Sequence, residues 1–350
     1  MAKAGFAETE ITPPIGTEKA GWIRKIVPDR VTDPLFVRAA AFENGQGRIG
    51  FIALDTLSVR WTQTAEIRRR IESEHGFPGA AVMVAATHNH AGPAIGNIGE
   101  ARRDEAYVET LIARAVSAFG QALAAREEAE IGFGSVFDFD VAHNRRVVMR
   151  NGTVRTHGKF TNGALCLEGP IDPEVAVIAA RRPGGGWLGG LVNYACHPTH
   201  LGGGPEFSGG FPGVLAAEMK KRDCPVTLFL NGPCGNTHTS DPTRDGAGMD
   251  QAEAGARLAE DAAKAMTSLR FRASPYLGAT SRTIELPYRR FTDEEVRGTV
   301  RGAQRFVDPA IYDRQMPALL ERIRTRKVQP AEVQVLRLDD WALASIPAEY

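Results

Sequence analysis

Short apolar runs alternate along this chain with segments whose apolar residues recur every three or four positions. Residues 48–55 and 81–86 are apolar almost throughout, which is typical of strands buried on both faces. Between them, residues 65–76 predict a helix that ends at a glycine, and residues 104–126 predict a second amphipathic helix. The first third of the chain therefore has a strand–helix–strand–helix order.

The same alternation continues in the middle of the chain. It predicts strands at 174–181, 188–195 and 226–231 and helices at 213–222 and 250–267. Asn151-Gly152, between two apolar stretches, predicts an antiparallel hairpin with a type I′ turn. Because a hairpin is set among alternating strands and helices, we expect an α/β fold with a layered mixed β-sheet flanked by helices.

No composition shift marks a linker, so we expect one large catalytic domain over residues 1–350. The last residues predict a strand pair with Asp339-Asp340 as its turn, and the second strand runs to Tyr350. Because a domain rarely stops inside an apolar strand, we expect the natural polypeptide to continue beyond this point.

The composition is that of a globular protein, with 42 basic and 42 acidic residues. This balance, without a long basic run, argues against nucleic acid as a partner. The first residues lack the apolar core of a signal peptide, and no segment approaches the roughly 20 apolar residues of a membrane span, so we expect a cytoplasmic protein. Four cysteines without CxxC spacing indicate free thiols. The sequence gives no oligomeric state.

Two histidines follow the strand at 81–86, in the run Thr87-His88-Asn89-His90-Ala91-Gly92-Pro93. Alternate residues of an extended segment face the same side, so both imidazoles can point to one place, where neutral nitrogen ligands suit Zn²⁺. The alternative is a pair of exposed loop histidines. A third nitrogen ligand, His197, follows the strand at 188–195, with His200 nearby as a ligand-orienting or substrate-binding residue. Alternatively, His197 bonds to a backbone carbonyl.

Four further positions carry candidate chemistry. The glycine-rich turn containing Gly235 and Asn236 is suited to bring backbone amides close to a developing oxyanion, although a plain tight turn is the alternative. Arg145 can clamp a carboxylate or an oxyanion. Glu349 can add a carboxylate to two histidines in a zinc site. Asp55, which ends the strand at 48–55, either supports a metal site or caps the following turn.

The ordered set of motifs is similar to the neutral/alkaline, non-lysosomal ceramidase family, over nearly the whole chain. The matching segments are GFAETEITPPIG at 5–16, THNHAGP at 87–93, Asn144-Arg145, ACHPTH at 195–200, GPCGNTHT at 232–239 and IPAE at 346–349. The resemblance implies that His88, His197 and Glu349 bind zinc, and that His90 and Arg145 contact the substrate carbonyl or the oxyanion.

This chain departs from the family pattern at several positions. The family's active-site serine falls on His238 and its neighbouring aspartate on Asn236, while Gly210 replaces another expected aspartate. The family's fourth zinc ligand, a tyrosine beyond the glutamate, is expected beyond residue 350, whereas the family's C-terminal immunoglobulin-like domain is absent from this sequence. These departures leave open whether the substrate is ceramide or another amide or ester.

The mechanism that the resemblance implies is zinc-dependent hydrolysis of an N-acyl bond in a small molecule, with a zinc-activated water as nucleophile. His90 or His238 would transfer the proton. One alternative is a metallophosphoesterase or another metal-dependent ester hydrolase, and a second is a degenerate, non-catalytic binding protein. A third, a cysteine hydrolase using Cys196 or Cys234, has little support because neither thiol has a clear activating environment.

Overall fold

A computed structural model of the protein describes residues 1–297 and 308–347. Its strands are β1 Ala2–Glu10, β2 Arg30–Val31, β3 Phe36–Glu43, β4 Arg48–Leu54, β5 Val82–Ala86, β6 Glu127–Phe137, β7 His143–Asn144, β8 Val147–Met149, β9 Val154–Arg155, β10 Ala164–Leu167, β11 Glu174–Arg181, β12 Trp187–Tyr194, β13 Glu206–Phe207, β14 Thr227–Asn231, β15 Thr237–His238, β16 Arg270–Arg272, β17 Leu277–Pro287, β18 Val328–Leu338 and β19 Trp341–Ser345. Its α-helices are α1 Trp61–His75, α2 Glu105–Ala124, α3 Gly210–Lys220, α4 Gln251–Met266, α5 Asp293–Arg297 and α6 Pro309–Thr325.

A nine-stranded mixed sheet organises the chain. Its order is β14-β12-β11-β6-β1-β3-β4-β5, and β16 adds to β6. The pairs β4–β5 and β12–β14 are parallel, and the other pairs are antiparallel. Each parallel pair is the outermost pair at one end of the sheet and is joined by a crossover helix, α1 or α3.

The sheet curls until its two halves face each other. Inward-facing side chains of β3 and β4, such as Phe42 and Phe51, belong to the same buried cluster as Ile178, Leu191 and Leu228 from β11, β12 and β14. Strand β14 accordingly contacts β3, β4 and β5 as well as its neighbour β12. The alternation of side chains along each strand sends every second apolar residue into this inner core.

Helices cover the outer faces of the curled sheet. Val37 and Ile52 lie on the opposite face of their strands from the inner-core residues. They pack with α1 and α2, including Leu111. Val177 and Phe229 pack with α3 and α4 on the other half. The result is a four-layer helix–sheet–sheet–helix domain, which confirms the predicted α/β class with a mixed sheet flanked by helices.

A smaller antiparallel sheet, β17-β18-β19, lies against one side of the inner core. Leu277, Leu336 and Leu338 bury their side chains there. The side chain of Arg68 on α1 ties this sheet to the main domain by donating to Glu332 at 2.7 Å and Gln334 at 2.8 Å. The predicted Asp339-Asp340 turn joins β18 to β19 and is confirmed.

The hairpin predicted at Asn151-Gly152 forms between β8 and β9, but the predicted turn type is wrong. Gly152 has a φ of 78°, whereas Asn151 is not among the residues with positive φ, so the pair does not form a type I′ turn. The loop is longer than two residues, and Met149 N–H donates to Thr153 O at 2.8 Å across it. A two-residue type I′ turn needs positive φ angles at both of its central residues, whereas a longer loop does not.

A buried carboxyl pair, formed by Asp261 on α4 and Asp138 just after β6, makes stability depend on pH. Burial, followed by the neighbouring Asp138 carboxylate, raises the pKa of Asp261 from 3.8 to about 6, while Arg257 partly opposes the shift. Between those pH values the folded protein holds a proton that the unfolded chain has lost, so the free energy of unfolding falls as the pH rises through this window.

We therefore expect Asp261→Asn to raise the melting temperature at pH 8, because the amide keeps a neutral hydrogen-bonding partner for Asp138. The gain should shrink at pH 5, where the carboxyl of the natural protein is already protonated. Thermal melts at both pH values measure this. Asp140→Asn is the matched control, since exposed Asp140 pairs with the same arginine. A gain that is equal at both pH values would contradict the expectation.

Candidate metal centre

The histidines of the first motif lie in a turn rather than in a strand. Strand β5 ends at Ala86, and His88 adopts a left-handed φ of 65°. Asn89 between the two histidines is fully buried, and its side chain donates to Ser208 O at 2.5 Å and accepts from Ala91 N–H at 3.0 Å. The two imidazoles therefore converge because this turn is fixed at its centre, not because of strand alternation.

Three imidazole nitrogens meet at one point. His197 Nε2 lies 3.0 Å from His88 Nε2 and 2.9 Å from His90 Nε2. His197 is buried and the other two rings are half-buried. Among residues 1–297 and 308–347, this is the one group of three or more histidine, cysteine, aspartate or glutamate side chains close enough to share an ion.

The other nitrogen of each ring is held by a backbone carbonyl. His88 Nδ1 donates to Leu57 O at 2.8 Å, His90 Nδ1 to Gly21 O at 2.9 Å and His197 Nδ1 to Cys234 O at 3.2 Å. A carbonyl only accepts, so each Nδ1 is assigned the proton and each neutral ring presents the lone pair of Nε2. Three lone pairs that face each other repel unless a cation lies between them, so the histidine group fits a metal ion.

Asn231, the last residue of β14, connects the loops that carry the histidines. Its side-chain amide donates to Thr87 O at 3.3 Å, and its oxygen accepts from Cys196 N–H at 3.4 Å. These partners directly precede His88 and His197 in the chain. The Asn231 side chain therefore holds the ends of β5 and β12 at a fixed distance, although these two strands are not neighbours in the sheet.

Arg145 and the glycine-rich turn lie side by side. The Arg145 guanidinium donates to Gly235 O at 2.5 Å, and its backbone N–H donates to Asn236 O at 2.7 Å. The short antiparallel pair β7–β15 holds the two segments side by side. The turn therefore presents carbonyl oxygens to Arg145. The expected role of the turn's backbone amides as oxyanion donors stays a prediction.

His238 and His200 lie behind the histidine group. His238 Nδ1 accepts from Ser240 N–H at 3.1 Å, so its Nε2 carries the proton and donates to Thr199 Oγ1 at 2.5 Å. Burial, followed by the nearby His200 and Arg145, lowers the pKa of His238 to about 4. The ring is therefore neutral at pH 7. The role of His238 in proton transfer and the role of His200 in substrate binding both stay predictions.

The two acids predicted to support the metal site are Glu349 and Asp55, and the structure describes only the second. Glu349, the expected carboxylate ligand, lies outside the described residues. Asp55 is fully buried and accepts from Arg38 Nη1 at 3.0 Å and from Phe36 N–H at 2.9 Å, so its carboxylate holds β3 against β4. It is not part of the histidine group.

Two of the buried cysteines, Cys196 and Cys224, are poorly suited to act as nucleophiles. Cys196 is fully buried, and burial raises the pKa of its thiol far above the usual range. Burial likewise raises the pKa of Cys224 to about 11. A buried thiol held protonated is a poor nucleophile, which weakens the cysteine-hydrolase alternative for Cys196.

A large cavity of about 1850 Å³ opens beside the histidine group. His88 and Asn231 line one part of it. Met83, Ile178 and Leu230 from the inner sheet faces give it an apolar wall. Its size exceeds the roughly 300–1,000 Å³ of common ligand pockets, which leaves space for a long apolar chain next to His88.

No family model matches the sequence, and no curated protein matches it significantly. Solved structures do match. A ceramidase complexed with C2 superposes with a TM-score of 0.70 at 16% identity, covering 99% of this chain and 63% of that chain. The neutral ceramidase from Pseudomonas aeruginosa gives a TM-score of 0.72 at 16% identity, covering 99% of this chain and 62% of that chain.

The chain has the neutral ceramidase fold. The fold expected from the resemblance is thereby confirmed. The chain spans less than two thirds of the length of either ceramidase. Within the part that the structure describes, no helix combines the length and the apolar character needed to cross a membrane.

Sequence reasoning missed a segment of this ceramidase fold that supports His90. Lys19 is fully buried, and its ammonium donates to the carbonyls of Leu201 at 2.7 Å, Gly204 at 2.5 Å and Glu206 at 3.1 Å. Burial lowers the pKa of Lys19 to about 8. Two residues later, Gly21 O accepts from His90. A lone lysine in a polar N-terminal stretch carries no sequence signal for this role.

Gly21 offers a direct test of this support. A Cβ at Gly21 would overlap the carbonyl oxygen of His90 and press on Gly202 O at 2.5 Å. We expect Gly21→Ala to displace His90 and to weaken Zn²⁺ binding about tenfold or more, as for other groups that orient metal ligands. Competition titration of Zn²⁺ against a chromophoric chelator measures the affinity.

Gly203→Ala is the control on the neighbouring loop, because a Cβ there meets no atom within 4 Å. It should bind Zn²⁺ like the natural protein. Far-ultraviolet circular dichroism of both variants separates loss of the metal centre from loss of the fold. Equal Zn²⁺ affinity in the folded Gly21→Ala and Gly203→Ala variants would contradict the role given to Gly21.

Proposed function

We propose that this protein is a ceramidase-like, metal-dependent hydrolase that cleaves an N-acyl amide bond. The observation that carries the proposal is the convergence of three Nε2 atoms, with that of His197 at 3.0 Å from His88 and 2.9 Å from His90, and each ring oriented by a carbonyl. The shared ceramidase fold and the apolar cavity beside His88 support it. A lipid-like amide is the substrate class that such a cavity suits.

Zn²⁺ is the proposed ion because three neutral imidazoles match its ligand preference. His88 and His197 are the proposed ligands, with Glu349 as the carboxylate ligand expected from the sequence. When bound, Zn²⁺ supplies Lewis acidity and lowers the pKa of a coordinated water from 15.7 to about 7. His90 lies close enough to the same point to act as a ligand or to face the substrate carbonyl.

The remaining proposed roles belong to side chains of this chain. The Arg145 guanidinium, anchored to Gly235 O, holds negative charge that develops on the carbonyl oxygen. One positioned donor of this kind contributes about 3 kcal/mol to lowering the barrier. The apolar wall around Met83 and Leu230 binds the acyl chain and excludes water from the reacting bond.

Metal content and activity together test the proposal. We expect His88→Ala and His197→Ala to lose bound zinc, measured by elemental analysis, and to lose about a hundredfold or more of amide hydrolysis. His75→Ala is the control, since His75 is an exposed histidine at the end of α1. Hydrolysis of N-acyl amides that survives chelation and both substitutions would overturn the proposal.

His90→Ala separates the two roles open to His90. If His90 is a metal ligand, the His90→Ala variant should lose its bound zinc. As a substrate contact, it would leave the zinc content unchanged while kcat falls about 10²–10³-fold, the usual effect of removing one donor to an oxyanion. Zinc content and kcat measured on one preparation assign the role. Unchanged zinc together with unchanged kcat would exclude both.

A metallophosphoesterase is less well supported. Two-metal phosphate chemistry needs several bridging acids, and the group of described residues that fits an ion contains histidines alone. Two metals per chain with phosphatase turnover would favour that alternative. A loaded metal centre without turnover of any amide or ester would favour a non-catalytic binding protein.

A further inference from the structure

The cavity beside the histidine group has an apolar wall and a cationic rim. Arginine side chains outnumber acids among its lining residues: Arg60, Arg68, Arg103, Arg322 and Arg326 against Glu174 and Glu332. A guanidinium keeps its charge at every physiological pH, so this excess does not depend on protonation. The cavity that receives the substrate is therefore electropositive around its edge.

Two of these arginines are neutralised within the protein. Arg68 pairs with Glu332 at 2.7 Å, and Arg103 pairs with Glu105 at 2.7 Å. Arg60, Arg322 and Arg326 have no acidic partner among residues 1–297 and 308–347. The last two lie four residues apart, at the end of α6 and just beyond it. Glu174 also lines the cavity, so these three arginines leave an excess of two positive charges there.

Arg60 lines the same cavity as His88. Leu57, which orients His88 through its carbonyl, lies three residues earlier in the same loop. The Arg60 guanidinium packs against Gly96, where a Cβ would approach Nη2 to 2.8 Å, and it donates to Asn97 O at 3.4 Å. A glycine at 96 is what permits the guanidinium to lie flat against the backbone there.

We propose that the amine half of the substrate carries an anionic group, such as a carboxylate, that binds Arg60 together with Arg322 and Arg326. The apolar chain then lies along the inner sheet faces, the amide lies beside His88 and the anion lies at the rim. A neutral amine half would leave this excess of positive charge without a counter-charge. This inference rests on the proposed function, because it names the substrate class of the same site.

A matched pair of substrates tests the proposal. N-lauroylglycine and N-lauroylethanolamine share the acyl chain and the amide, and they differ in a carboxylate against a hydroxyl. We expect kcat/KM to favour N-lauroylglycine by about tenfold or more, as charge-assisted hydrogen bonds to arginine allow. Raising the salt concentration should reduce the preference, because the rim is exposed. A preference for the neutral amide would overturn the proposal.

Substitutions test whether these arginines cause the preference for N-lauroylglycine. Arg60→Gln and the double variant Arg322→Gln/Arg326→Gln should each lower kcat/KM for N-lauroylglycine several-fold more than kcat/KM for N-lauroylethanolamine. Arg282→Gln is the matched control, because Arg282 is exposed on β17 and does not line the cavity. Equal losses on both substrates would show a general defect and contradict the assignment of these arginines.

Binding to metal-free protein separates this inference from the proposed function. Isothermal titration of chelator-treated protein with each amide measures affinity without hydrolysis. Tighter binding of N-lauroylglycine, lost in Arg60→Gln, supports the anionic substrate class even where no amide is cleaved. Equal affinities for the two amides would overturn the inference, whereas hydrolysis of either by the zinc-loaded protein would leave the proposed function intact.

Discussion

The approach of the two ends of one curled sheet is the constraint on which the rest of the structure depends. Strands β5 and β14 are the two ends of the strand order, yet Asn231 at the end of β14 donates to Thr87 O at the end of β5. The inner core fixes this closure by packing Phe51 against Leu228 and their neighbours. Without it, His88 and His197 would belong to opposite ends of a flat sheet.

Much of the fold follows from local patterns. The apolar runs at 48–55, 81–86, 174–181 and 226–231 are strands, and the periodic segments at 104–126 and 250–267 are helices, with ends that differ by at most two residues. These elements are long and strongly patterned, so tertiary contacts reinforce the local preference. Strands β1 and β3 were not predicted, because the sequence around them mixes small, charged and apolar residues.

The candidate site was partly predictable for the same reason. His88, His90 and His197 each follow a buried strand, and sequence position alone suggested that they meet. The residues that orient them act through backbone carbonyls at Gly21, Leu57 and Cys234, which carry no side-chain signal. Lys19 and Asn231 act over distances of more than 140 positions in the chain. Only the closed sheet brings such pairs together.

The three carbonyls that hold the Nδ1 protons lie in three segments far apart in the chain. An ion bound by the rings therefore ties together the N-terminal segment, the loop after β4 and the loop after β14. Because an ion that binds the ordered arrangement lowers its free energy relative to looser ones, occupancy and local order are thermodynamically linked. A bound ion would therefore also order the loops at the edge of the cavity that His88 lines.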